Sequence, residues 1–188
     1  MGKPNDMSHP TSQQILSARV DEFTLSTKLL LDTKHMLPAL VLLYTAIDIL
    51  GSLLRPESET DTKGEYFKKW VDDYMIRHSK VAFTSEELWG ARCGLLHTHT
   101  AASKLSRQGK ARQLHYFRAH GVPLPPVEQH AMQVLLSQGR LFVDVDALYN
   151  TFDEGTRRFL TAIQHDATLE KRVLHHSKHL FGSWTKIS

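Results

Sequence analysis

The chain contains a single cysteine, Cys93. It can form no internal disulfide, so its fold must rest on packed apolar surface. With 188 residues, 41% of them hydrophobic, it is long enough to bury such a core as one domain. A lone thiol suits a reducing compartment, and a cytoplasmic location is expected. No long apolar run is free of charge. The longest, around Leu37 to Leu54, contains Asp48 and lies between His35 and Arg55. It reads as a buried helix rather than a membrane span, and no membrane association is expected. Met1 to Pro10 is polar and lacks the apolar segment of a secretory signal. A disordered tail over residues 1–11, one helical domain over 12–182 and a short tail over 183–188 follow as expectations.

Acidic residues are absent from Leu88 to Val127, although the whole chain carries 20 of them against 23 basic ones. The same stretch holds six cations: Arg92, Lys104, Arg107, Lys110, Arg112 and Arg118. The net charge of +3 is therefore concentrated there, and the remainder is net acidic. An anionic partner and a plain solvated basic loop are both compatible with that pattern. Two other features are missing. Gly109-Lys110 lacks the preceding glycine and the following Ser or Thr of a phosphate-binding loop. His175, His176 and His179 cluster near the C-terminus, with His175 and His179 one helical turn apart. No cysteine is nearby, and Asp166 and Glu170 complete no zinc-enzyme pattern. Histidines near a helix C-terminus are also favoured by the macrodipole. No metal or cofactor is expected.

Hydrophobic spacing predicts mostly helix. A first helix runs from Thr11 or Ser12 to about Thr33, with Ile15, Val20, Phe23, Leu30 and Leu31 on its apolar face. A second starts near Pro38, a suitable first-turn residue, and ends near Leu54. It is apolar nearly all round and should be central, with Thr45, Asp48 and Ser52 forming one polar stripe. Thr62 and Glu65 read as a capping box for a third helix bearing Phe67, Trp70, Val71, Tyr74 and Met75. Thr84 and Glu87 read as a second box, opening a helix from about Ser85 to His99. From about 101 to 143 a basic loop or short two-stranded insertion is expected, with 112–117 and 140–143 as the strands and 127–137 as a short helix. Helices over 144–163 and 168–180 complete an all-α bundle with this insertion.

The most informative pair is Arg92 and His97, separated by four residues in Arg92-Cys93-Gly94-Leu95-Leu96-His97. They combine a permanent cation with a group that titrates near neutral pH, and could cleave a phosphodiester without a metal. A snorkelling Arg and a helix-capping His are the structural alternative. On an ideal helix the spacing turns by about 140°, so the two share a face only if the helix loosens between them. Gly90, Cys93, Gly94 and His97 form a face of small residues that admits another helix, from a second copy or from the same chain. Asp48, alone in an apolar helix, requires a partner. Arg92 is one candidate; Thr45, Tyr44 or a loop amide are the others.

An Arg followed by four residues and a His, near the end of a bundle helix, resembles the signature of the HEPN superfamily. The apolar helix Leu43-Tyr44-Thr45-Ala46-Ile47-Asp48-Ile49-Leu50, with its isolated acid, adds to the likeness. The resemblance covers about Ile15 to Ser103 as helix order; within it, only Arg92 and His97 match the motif. It implies a dimeric α-helical bundle. Many members are metal-independent endoribonucleases of toxin–antitoxin, phage-defence and RNA-processing systems, and others are inactive binding or scaffold modules. In active members a polar residue often follows the Arg; here Cys93 does.

On this resemblance the expected function is RNA-directed endonucleolytic cleavage leaving 2′,3′-cyclic phosphate ends. His97 would act as base, Arg92 would stabilise the phosphate oxygens, and Asp48 and His99 would support them. Lys104, Arg107, Lys110 and Arg112 would hold flanking phosphates of RNA or another phosphate-bearing ligand. Tyr116 or Phe117 would stack a base. A homodimer is expected, with an antitoxin or other protein as a further candidate partner. The alternative is a catalytically inactive helical dimer that binds a protein or nucleotide.

Overall fold

The computed structural model describes residues 11–98, 104–118 and 126–181. For Ser12, His97, Thr98 and 179–181 the description is of backbone only. Among the described residues there are eight α-helices and one pair of strands. In order these are α1 (Ser12–Asp32), α2 (Met36–Ser52), α3 (Gly64–Trp70), α4 (Ser85–Thr98), α5 (Lys104–Arg107), β1 (Leu114–Phe117), α6 (Pro126–Ser137), β2 (Leu141–Asp144), α7 (Val145–His165) and α8 (Ala167–Phe181). None of the described helices is long and apolar enough to cross a membrane.

The central helix is α2, as its all-round apolarity predicts. It packs against α1, α3, α4 and α7. Ala39, Leu43, Tyr44, Ala46 and Ile47 are fully buried. α1 begins with a complete capping box between Thr11 and Gln14, which answers two orphan amides. Its buried stripe is Leu16, Val20, Thr24, Thr27 and Leu31 rather than one built on Ile15, Phe23 and Leu30, which are half-buried.

α3 departs from expectation at both ends. Its N-cap is Lys63, without a side-chain cap, so the Thr62–Glu65 box does not form. The helix starts one residue later than that box requires, and Lys63 is drawn to Glu59 at 2.7 Å. Beyond Trp70 the chain loosens into a π-helical turn, Val71–Met75, and then a 3₁₀ turn, Ile76–His78. That turn lies against α7. Trp70 sits wholly buried among Tyr74, Phe152 and Phe159, with ring centroids 5.8, 6.1 and 6.2 Å away.

The two strands fall within the segments expected for them, 112–117 and 140–143, to within one residue. They pair in parallel, with Leu114 opposite Leu141 and Val143 opposite Tyr116. A parallel pair needs a crossover, and the chain between the strands, including α6, supplies it. Both strands are entered from a helix that ends in the same way. Gly109 (φ 68°) follows α5 and Gly139 (φ 74°) follows α6. After α5 the Gly109 amide donates to Ser106 O and the Lys110 amide to Leu105 O, at 3.1 and 3.0 Å. After α6 the Gly139 amide donates to Leu136 O and the Arg140 amide to Leu135 O, at 2.9 and 3.1 Å. Each is a paired closure of the last helical turn that requires a left-handed residue. The short segment Gln-Gly-Lys at 108–110 and Gln-Gly-Arg at 138–140 thus does the same work twice.

Gly51 marks the closest approach of α2 and α3. A Cβ there would lie 2.9 Å from the backbone of Phe67. Alanine is intrinsically the better helix former by about 1 kcal/mol. Gly51→Ala should nonetheless lower stability by about 1–2 kcal/mol in urea unfolding, because two backbones must separate. A gain in stability would show that this interface yields freely.

Candidate functional site

Asp48 and Arg92 meet between α2 and α4. The Arg92 Nε donates to Asp48 Oδ2 at 2.7 Å, and its Nη2 donates to the same oxygen. The guanidinium also lies over the ring of Trp89, 5.1 Å from the centroid. Both charged side chains keep some solvent contact, 19% of the Arg92 side chain and 27% of Asp48. The stripe on α2 explains this. Asp48 occupies the one edge of the central helix that reaches the surface, and α4 crosses that edge at Arg92. Of the partners open to Asp48, the fold therefore uses Arg92. Thr45 turns inward on its own helix and donates to Val41 O at 2.8 Å.

His97 lies in the last turn of α4, which remains helical through Thr98. The backbone therefore turns by about 140° between positions 92 and 97. The loosening that would have brought the two positions to one face is absent from the backbone. His99 lies outside the described residues, as does the side chain of His97. Gly90 and Gly94 are buried and Cys93 is half-buried. The chain's own elements thus already cover the two glycines expected at a dimer interface, because α4 packs against α2, α3, α5 and β1. Burial raises the pKa of the Cys93 thiol, despite the neighbouring Arg92 cation.

The expected phosphate-binding residues divide into two sets. Lys104, Arg107 and Lys110 are exposed and form no ion pair among the described residues. Arg112 instead clamps Glu87, with Nε to Oε1 at 2.5 Å and Nη2 to Oε2 at 3.1 Å. It also donates to Ala82 O at 2.8 Å. Glu87 is 6% exposed and closes the predicted capping box with Thr84. A buried carboxylate needs a cation, and Arg112 supplies it. Arg118 is held in the same way by Asp146, at 2.7 Å, and donates to Leu31 O.

Tyr116 was expected as a stacking surface. Its hydroxyl instead meets that of Tyr44 in the interior, and burial raises the pKa of both phenols. The ring stands edge-on to Tyr44, at 6.5 Å between centroids. Base stacking would require breaking that hydroxyl pair. The C-terminal histidines show no metal set among the described residues. The ring Nε2 of His176, buried, faces the carbonyls of Arg55 and Pro56 at 3.1 and 3.2 Å. The side chain of His179 lies outside the described residues.

Sequence reasoning missed two residues here. One is Glu87 in its second role, as the partner of Arg112. The other is Arg140, which the fold brings beside Arg107 and Arg112 around one cleft. The repeated Gln-Gly-basic segment was the available signal for it.

No protein-family model, curated protein or solved structure matches the chain.

Two measurements check this geometry. Asp48→Ala should cost about 1–3 kcal/mol, a partly screened version of stranding a charge. A double-mutant cycle with Arg92→Ala should return a coupling of about 1 kcal/mol or more, and additive losses would make the pair passive. The second concerns acid. Burial pushes the Glu87 carboxyl up, but the Arg112 and Thr84 hydrogen bonds outweigh it and its pKa is lowered overall. A depressed folded pKa gives stability above the unfolded value, about 4.3, that is lost as pH falls through the folded value. Glu87→Gln should therefore flatten the loss of stability between about pH 5 and pH 3. An unchanged acid limb would assign that loss to other carboxylates.

Proposed function

We propose that this chain is an RNA-directed protein of HEPN-like type that cleaves phosphodiesters without a metal. The observation that carries the reading is the Asp48–Arg92 pair. An acid on the central helix fixes a guanidinium near the end of α4, one helical turn and a half before His97. Trp89 backs the same guanidinium. A fixed planar cation is what a developing phosphate dianion needs, because its donors require no reorganisation during reaction. Lys104, Arg107 and Lys110, which form no ion pair among the described residues, follow α4 in the chain and suit flanking phosphates.

The helical path of α4 separates positions 92 and 97 on one chain, so the reading requires two copies. Arg92 of one copy and His97 of the other would meet in a shared cleft, with the buried Gly90 and Gly94 left inside each copy. The base takes the proton of the 2′-hydroxyl, and the 2′ oxygen attacks phosphorus. The bond to the 5′ oxygen breaks, and an acid returns a proton to that oxygen. The products are a 2′,3′-cyclic phosphate and a 5′-hydroxyl. A protein partner of antitoxin type fits the same reading, and a silent binding dimer is its competitor.

The purified chain should cut RNA in the presence of EDTA. His97→Ala should abolish cleavage at an unchanged melting temperature. Arg92→Lys should reduce it by about 10²-fold or more, since Lys keeps charge but loses the two-point contact. Equal cutting by wild type and His97→Ala would place the activity elsewhere. No cutting on structured or single-stranded RNA would leave the silent dimer. A monomer by light scattering at micromolar concentration would remove the shared cleft.

A further inference from the structure

A second cluster of cations gathers at the ends of α5 and α6. The turns at Gly109 and Gly139 stand side by side, because the strands they feed are paired in parallel. Between them opens a cleft of about 370 Å³. Among the described residues three arginines line it, Arg107, Arg112 and Arg140, and no carboxylate does.

The three are not equivalent. Arg112 is already neutralised by Glu87. Arg107 has no ion pair among the described residues. Among the described residues Arg140 meets neutral partners: its Nη1 donates to Gln113 Oε1 and lies 3.1 Å from the His115 ring Nε2. Gln113 thus spends its oxygen on Arg140, which leaves its amide N–H groups as further donors toward the cleft. Burial, and then the Arg140 cation, lower the His115 pKa, so this ring stays neutral and acts as an acceptor for Arg140. The two helix ends that gather these arginines carry a partial negative charge. Two full guanidinium charges exceed it.

We propose that this cleft is a phosphate-binding site, with Arg107 and Arg140 as its anion-binding residues and Gln113 as an added donor. Phosphate suits it better than carboxylate. A planar guanidinium takes two oxygens at once, and a phosphate group presents enough oxygens for two such forks. The cleft volume accommodates a phosphoester rather than a lone ion. The phosphate could belong to RNA or to a free phosphorylated compound. The site stands whether or not Arg92 and His97 cut RNA, and binding, not cleavage, tests it.

The experiment uses the full chain and two probes. Inorganic pyrophosphate is titrated calorimetrically. A short oligoribonucleotide is titrated with and without a 5′-phosphate, in a His97→Ala background so that it stays intact. Arg107→Gln/Arg140→Gln should weaken at least one probe by tenfold or more, while Lys178→Gln, at an exposed position of α8 outside the cleft lining, should change it by less than twofold. Loss confined to pyrophosphate assigns the cleft to a free phosphorylated compound. Loss of a preference for the 5′-phosphorylated oligonucleotide assigns it to a chain end. Equal loss for both oligonucleotides assigns it to backbone phosphates. Binding unchanged by the double substitution, or no binding of either probe to the parent at millimolar concentration, overturns the proposal. Should the double variant fail to fold, the His115 ring reports in the unaltered protein. A bound anion offsets the Arg140 charge, so saturating pyrophosphate should raise the His115 pKa in an NMR titration. A His115 resonance that does not move overturns the site as well.

Discussion

Everything in this chain is arranged around a helix with one carboxylate to offer. α2 is buried against four other helices, and Asp48 is its single acidic residue. An ionised group in that setting must sit at the helix's one open edge and must find a cation there. Both conditions are met at Arg92. The pair therefore fixes how α4 crosses α2 and, through α4, where the basic segment leaves the bundle. Because each partner keeps some solvent contact, the pair can hold a guanidinium in place without removing it from the surface.

The same logic governs the insertion. Three of the six cations in the acid-free stretch are matched to carboxylates from outside it: Arg92 to Asp48, Arg112 to Glu87 and Arg118 to Asp146. Glu87 precedes the stretch by one residue, and the other two acids come from α2 and α7. Along with the Tyr44–Tyr116 hydroxyl pair, these bonds tie the strands to α1, α2, α4 and α7. The insertion is thus anchored at several points rather than hung from the bundle. Its surface charge is smaller than its linear charge, and it shifts to the turns, where Lys104, Arg107 and Lys110 are joined by Arg140.

The longer helices were legible because their apolar residues recur at helical spacing, whereas the single turn of α5 falls in a stretch read as a basic loop, and the short strands were read from brief apolar and aromatic segments near turn residues. The two capping boxes looked alike in sequence, yet only Thr84–Glu87 formed. That box gained Arg112 as a third member, whereas Lys63 found Glu59 and the helix began after it. Asp48 was readable as a residue in need of a partner, and Arg92 was among the choices. Tyr116 and Arg112 were read as surface groups because nothing nearby in the chain competes for them. Their partners lie 72 and 25 residues away.

What the sequence by itself determined is the mostly helical class, the central place of α2, the strand positions and the necessity that Asp48 be paired. These depend on periodicity and on the cost of burying charge, both of which are local properties. Only the tertiary structure decided which cations are paired with carboxylates and which have no ion pair among the described residues. It also decided that the strands run parallel, that Gly90 and Gly94 are covered from within, and that two glycine turns enclose a basic cleft. Each of these depends on which distant elements are packed together, and ion pairing and burial are set by that proximity in space rather than by order along the chain.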